Sequence, residues 1–406
     1  MMKNPFVKID YPLIGLVLFL TILGLTTVYS ATYSGTEETS AYFVKQLVFS
    51  LISFMFMIGL MFIPMRMLQR FAFPFYLLSV FMLILVLFFG EKGYGAERWL
   101  AMGGLRIQPS EFAKLATILA VANYLSGSDK NINRIKDFAT VSFMILLPFV
   151  LIIRQPDLGT SLVFLAITVP IFFWAGLHWF YIFVILSPAV TLIVSFHFYA
   201  FLGWILLLSF ILYLSRQKIP VLVAIFILHI TIGSITPSLW NQLKPYQQKR
   251  ILTFADPESD PKGAGYQIIQ SKVAIGSGGI YGKGYLNGTQ TQLKFLPAQH
   301  TDFIFSVIGE ERGLSGVLLV LLCFTALLLY LLHLSVQMRS AFASISIVGI
   351  ATVLFFHIIV NIGMTIGLAP VTGLPLPFIS YGGSFLFSTL IMIGFVLNFS
   401  MNRFEQ

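Results

Sequence analysis

The chain has 406 residues, 57% of them hydrophobic and 10% charged, with a mean hydropathy of +0.89. Soluble domains carry roughly 25% charged and about 45–50% apolar residues, so a water-soluble enzyme, a disordered chain and a fibre are excluded. The net charge of +9 comes with no basic face among so many apolar residues. It therefore points away from nucleic acid and towards anionic lipid or a phosphate-bearing lipid substrate. The one cysteine, Cys323, lies in an apolar run, which precludes an intrachain disulfide and a cysteine-based metal site. This is the composition of a polytopic helical membrane protein, a single all-α integral membrane domain over residues 1–406.

The apolar run 11–31 is as long as a bilayer span requires, ~20 residues. No small-residue cleavage site follows it, so it reads as a first span rather than a cleavable signal. Further spans are predicted at 43–64, 70–90, 109–126, 138–153, 158–178, 179–198, 199–215 and 219–236. After a long polar gap come 313–334, 341–367 and 383–401, twelve helices in all. With the N-terminus inside, the short inner segments hold Lys3, Lys8, Arg66, Arg70, Lys130, Arg134, Lys136, Arg216, Lys218, Arg339 and Arg403, while the first outer loop carries Glu37 and Glu38. That bias obeys the positive-inside rule, and an even count returns the C-terminus to the cytoplasm. The loop 237–302 then lies outside, and with 91–108 and 370–383 it opens on one face. Membrane enzymes place chemistry on such loops.

Three polar groups stand out. In GAERWLAMGGLRIQPSEFAK, Pro109 fits a first helical turn, and Glu111 and Lys114 share one helix face. They read either as a helix-start carboxylate with a snorkelling lysine or as a pair facing a polar cavity. In RQPDLGTS (Arg154–Ser161), Asp157 can cap the following helix, or pair with a buried opposite charge. The long loop has eight glycines between 261 and 290. Glycine allows successive backbone N–H groups to turn towards one anion, with Lys272, Lys283 and Lys294 adding charge; the plain alternative is a flexible loop. Asp302 follows His300 and Thr301 where the chain re-enters the membrane as Phe303–Phe305. A carboxylate at that depth is costly unless paired or used, and its basicity is tunable by burial and by cations. Asp302 is therefore the candidate general base. His178, His229, His333 and His357 stand isolated on apolar helices and read as core residues, and no zinc spacing occurs.

At these residues the chain resembles the SEDS family (shape, elongation, division and sporulation) of bacterial cell-wall proteins. The resemblance spans nearly the whole length and is carried by the two motifs above, by YQQKRILTFADP and FLPAQHTDFIFSVIGEERG, and by NIGMTIGLAPVTGLPLPFISYGGS (Asn361–Ser384). The segment GTQTQLKFLPAQHTDF is closer to the cell-elongation branch than to the division branch. The resemblance implies a peptidoglycan glycosyltransferase in the bacterial cytoplasmic (inner) membrane, with both termini cytoplasmic. It would polymerise lipid II, a polyprenyl-diphosphate-linked disaccharide-pentapeptide, on the outer face for elongation and rod shape. It matches Asp302 to the family's essential loop aspartate, Asp157 to a second aspartate, and Glu111 and Lys114 to its paired Glu and Lys. It further implies a class B penicillin-binding protein as cross-linking partner, together with elongation-complex membrane proteins. The family core has ten spans; about two extra fall in 198–236.

A reaction follows from joining these features. The acceptor sugar hydroxyl loses its proton to Asp302, while Lys114, Arg98, Arg154 and Arg250 are candidates to neutralise the departing diphosphate. Lys283, His300, Thr301 and Ser380 complete the expected substrate contacts, with the Pro-rich segment 370–379 fixing loop geometry. A divalent cation, Mg or Mn, could assist. The rival readings are a lipid II flippase, which the same composition fits, and a non-catalytic scaffold for the cross-linking enzyme, in which the buried charges lack a purpose.

Overall fold

A computed structural model describes residues 9–33, 37–93, 96–102, 105–215, 217–242, 248, 252–254, 256–260 and 264–403. In chain order the helices are α1 (Tyr11–Thr32), α2 (Glu37–Met61), α3 (Met65–Phe89), α4 (Pro109–Leu125), α5 (Ile135–Arg154), α6 (Leu158–Trp174), α7 (Trp179–Val194), α8 (Phe198–Leu214), α9 (Ile219–Gln242), α10 (Ala264–Ser277), α11 (Ile304–Gln337), α12 (Ala341–Thr365) and α13 (Gly383–Met401). Local signals set their starts. Asp10 caps α1 by accepting from Leu13 N, Pro109 occupies the first turn of α4, and Asp157 caps α6 through Thr160 N. Each supplies or removes the need for a partner to an orphan N–H of the first turn.

Each predicted apolar segment is occupied by a helix. Among the described residues, eight helices are long and apolar enough to cross a membrane. By contrast α4, α6, α7 and α8 have 16 or 17 residues, about 24–26 Å at ~1.5 Å per residue against a ~30 Å hydrocarbon core. Two features depart from the expected pattern. The helix predicted from 313 begins nine residues earlier and passes through Gly313 with a non-helical φ of 62°. Between α3 and α4 the chain forms a three-stranded antiparallel meander, β1 (Glu91–Gly93), β2 (Ala96–Met102) and β3 (Leu105–Ile107). Antiparallel strands this short, joined within one loop, satisfy backbone groups that no helix covers.

One large apolar core unites α1–α6 with α11–α13. A satellite cluster of Phe180, Ile205, Leu208, Leu212 and Ile225 joins α7, α8 and α9. The expected extra hairpin, 198–236, thus belongs to this satellite, whose main contact with the rest is α6 against α7. Of the eight helices long enough to span, α12 and α13 are the least exposed; between them residues 366–382 run without regular structure, yet Leu374, Leu376, Phe378, Ile379 and Ser380 are buried. A non-helical backbone inside a helical membrane protein needs protein partners for its polar groups. Gly24 of α1 allows it to lie close: a Cβ there would stand 2.4 Å from Phe378 O.

Candidate active site

The buried segment before α13 is the bed on which Asp302 rests. Three consecutive carbonyls preceding α11 are held from it or from α12. Tyr381 N donates to His300 O at 2.9 Å, Ser380 Oγ donates to Thr301 O at 2.7 Å, and Asn361 Nδ2 donates to Asp302 O at 3.0 Å. Ser380 Oγ also accepts from Leu376 N, and Asn361 Nδ2 also donates to Leu374 O at 2.8 Å. Gln46 of α2 closes the far side, donating to Ser380 O and accepting from Gly382 N. The backbone at 300–302 is therefore fixed on three sides, and the Asp302 side chain is left half-buried at its edge.

Burial pushes the Asp302 pKa above the usual carboxylate range, while the Thr301 hydroxyl and the Arg98 guanidinium pull it back down. Desolvation penalises the charged form and nearby cations favour it. Gly373, exposed and at φ 75°, keeps the approach open, since a Cβ at that position would stand 3.4 Å from Asp302 Oδ2. His300, Tyr42 and Tyr381 form an aromatic wall with ring centroids 5.2–5.6 Å apart. Burial lowers the His300 pKa, so its imidazole is neutral at pH 7.

Arg98 is the cation beside this base. Its Nη2 donates to Pro156 O at 2.7 Å and its Nη1 lies 3.6 Å from Asp157 Oδ1, while its buried Nε has no partner among the described residues. Asp157 itself is 3% exposed and accepts from Thr160 N, Thr160 Oγ1 and Gln108 Nε2. It both caps α6 and orients Arg98, so the two readings drawn from the sequence hold together.

Other expected site residues lie elsewhere. Arg154 ends α5 exposed, and Arg98, not Arg154, pairs with Asp157; a cation in a helix's last turn is already favoured there by the helix dipole. Arg250, with Lys244 and Lys249, falls outside the described residues. Glu111 and Lys114 do not snorkel. They are 3% and 0% exposed and paired at 2.9 Å, with Ser388 Oγ donating to Glu111 Oε2 and Phe385 covering the ammonium at 5.5 Å. Each member of the pair is the other's partner where water does not reach.

The glycine-rich loop also departs from the anion-cradle reading. Lys283 donates to Glu310 Oε1 at 2.8 Å and to Thr289 Oγ1, and Glu310 further accepts from Gln290 N, Thr291 N and Thr291 Oγ1. Gly278, Gly282 and Gly288 serve close packing on the first turns of α11. Lys283 N and Gly284 N donate to the Glu310 and Glu311 carbonyls, and a Cβ on Gly282 would stand 2.1 Å from Glu311 O. Lys272 and Lys294 are exposed.

His357, Asn361 and Gln46 hold the bed under Asp302 although the sequence assigns none of them a site role. His357, Asn361 and Thr365, all 0% exposed, recur every four residues along the C-terminal half of a largely apolar helix. That spacing places them on one face, and a polar stripe on a buried helix is a signal available in the sequence.

An apolar groove of about 520 Å³ runs along α2, α3, α4 and α13, lined by Phe56, Phe71, Phe75, Phe112 and Phe395 among others.

The family model described as cell cycle protein, covering FtsW, RodA and SpoVE, matches residues 11–203 and 200–405. The chain belongs to this family. The peptidoglycan glycosyltransferase MrdB of Escherichia coli (strain K12) is 38% identical over 341 residues, 84% of this chain and 80% of that protein. The peptidoglycan glycosyltransferase RodA of Treponema pallidum (strain Nichols) is 32% identical over 97% of this chain and 98% of its own length. Among solved structures, a chain from work on the structural coordination of polymerization and crosslinking by a peptidoglycan synthase complex superposes with a TM-score of 0.75. It is 32% identical, over 98% of this chain and 99% of that one. The rod shape determining protein RodA of Thermus thermophilus gives 0.66 at 28% identity, over 98% of each chain. This family member is thus a multi-pass membrane protein with the fold its motifs imply.

Proposed function

We propose that the protein is a peptidoglycan glycosyltransferase of the elongation branch, polymerising lipid II at the outer face of the bacterial cytoplasmic membrane with both termini inside. The observation that carries this reading is Asp302: a carboxyl with a raised pKa, on backbone clamped at three successive carbonyls, beside an arginine with a free N–H. The names of the 38% and 32% identical relatives support the same activity.

The acceptor sugar's 4-hydroxyl gives its proton to Asp302 as its oxygen attacks the donor's anomeric carbon. The bond from that carbon to the diphosphate oxygen breaks on the opposite side, so an α-linked donor becomes a β-linked polymer. Arg98, held by Asp157, is the cation assigned to the negative charge that grows on the leaving group, since donors preorganised at developing charge lower the barrier. The apolar groove offers the prenyl chain a surface of matching polarity. Among the described residues no group of three His, Cys, Asp or Glu side chains could hold a metal ion. Mg or Mn would be held chiefly by the substrate diphosphate, with Asp302 the protein carboxylate that could share it, as Mg²⁺ binds through few protein ligands plus phosphates. When bound, such an ion supplies charge neutralisation on the diphosphate. A class B penicillin-binding protein and other elongation-complex membrane proteins are the proposed partners, since a family structure comes from a complex coordinating polymerisation with crosslinking.

The test is polymer formation from purified protein and lipid II, with Asp302→Asn as the variant. The change keeps size and removes proton acceptance, and general-base catalysis contributes ~10²–10⁴-fold. A loss of that order with unchanged thermal stability supports the assignment. Wild-type polymerisation by the variant would refute it, and lipid II movement across vesicles without polymer would instead favour a flippase.

A further inference from the structure

The buried Glu111–Lys114 pair is bonded, through His357, to the bed under Asp302. Lys114 Nζ, after meeting both Glu111 oxygens, reaches His357 Nε2 at 3.1 Å. On the other side of the ring, His357 Nδ1 lies 3.1 Å from Pro375 O. An ammonium has only donors and a carbonyl only accepts. Both neighbours thus dictate one arrangement of the imidazole: Nε2 bare and accepting, Nδ1 protonated and donating. The ring is neutral, and Phe385 stacks on it at 4.8 Å.

Pro375 stands in the middle of the segment that holds Asp302. The residue before it, Leu374, gives its carbonyl to the Asn361 amide that also holds Asp302 O. The residue after it, Leu376, gives its N–H to the Ser380 hydroxyl that holds Thr301 O. Removing the His357 bond therefore frees the midpoint of a short strap whose two ends carry the clamps on residues 301 and 302.

We propose that His357 is a positioning residue for glycosyl transfer: Lys114 fixes its Nδ1-protonated form, which ties Pro375 and through it the backbone of Asp302. This gives the buried pair a part in the reaction without substrate contact. It rests on Asp302 acting as the base. A misplacement of about 1 Å at a reacting group can lower a rate on the order of 10²-fold, so the consequence belongs in kcat, with KM nearly unchanged.

Two polar substitutions separate the two ring nitrogens. Asn carries its amide as many bonds from Cβ as Nδ1, so His357→Asn keeps a donor for Pro375 O. Gln carries its amide at the distance of Nε2, so His357→Gln keeps the contact with Lys114 and loses the strap. The full chain, purified with its thermal unfolding recorded, is assayed for kcat and KM with lipid II. Backbone hydrogen exchange over 370–382 is followed by mass spectrometry. The expected result is that His357→Gln lowers kcat on the order of 10²-fold, leaves KM within a few-fold and speeds exchange over 370–382, while His357→Asn stays near wild type in all three. Wild-type kcat and exchange in His357→Gln, or an equal loss in His357→Asn, would overturn the proposal. Activity in Asp302→Asn would sink the base assignment alone, and the exchange measurement would still decide whether His357 holds the strap.

Discussion

Replacing Lys114 with Met removes the ammonium and keeps most of the side-chain volume. Lys114 is 0% exposed and Glu111 3% exposed, so neither charge has water to fall back on. In the variant, Glu111 retains only the Ser388 hydroxyl as a donor, and His357 Nε2 has none. Breaking a buried pair by removing one partner costs ~3–5 kcal/mol. Adding Glu111→Gln turns the stranded carboxylate into a neutral amide that can still accept from Ser388. The double variant is then left mainly with one unsatisfied ring nitrogen, a penalty of ~1–3 kcal/mol. The second substitution should thus restore about 2 kcal/mol, the difference between those ranges. Unfolding midpoints of wild type, both single variants and the double, measured in one detergent, give the cycle. Equal midpoints for all four would show that the pair is solvated and that the burial argument is wrong.

The other predictions concern pH, packing and topology. Because burial raises the Asp302 pKa and the base must be deprotonated, kcat/KM should fall as pH drops through a value above the ordinary ~3.9 for aspartate. Arg98 opposes that rise, so Arg98→Gln should move the acid limb to still higher pH; a limb unmoved by this change would separate Arg98 from the base. Gly282→Ala adds a Cβ against Glu311 O at a φ of 81°, a strained conformation worth ~1–3 kcal/mol, and should lower the unfolding temperature, whereas the exposed Lys294→Ala should not. A cysteine in place of the exposed Asn287 should be labelled by membrane-impermeant reagents from outside cells, with tags at both termini protected; labelling only after lysis would reverse the proposed orientation.

The helices and their order were legible in the chain because hydropathy acts segment by segment. In an apolar solvent each stretch must satisfy its own backbone, and helices do so locally. The same holds for the caps: Pro109 and Asp157 act on the turn that follows them. Asp302 was legible because a carboxylate at the start of an apolar helix is costly wherever the helix packs. Which charge meets which was not. Arg154 stands three residues from Asp157, yet Arg98, from a loop between other helices, takes the pair, because α5 turns Arg154 to the outside and the β-meander brings Arg98 in. The glycines at 278 and 282 read equally well as an anion cradle, and only the kinked start of α11 at Gly313 shows that they seat one backbone against another. In the sequence His357 reads as a lone core histidine; its partners come from α4 and from the segment before α13, which only the fold brings together. Those pairings join residues far apart in sequence, and they depend on helix rotation and depth, which local pattern does not encode and close packing in three dimensions does.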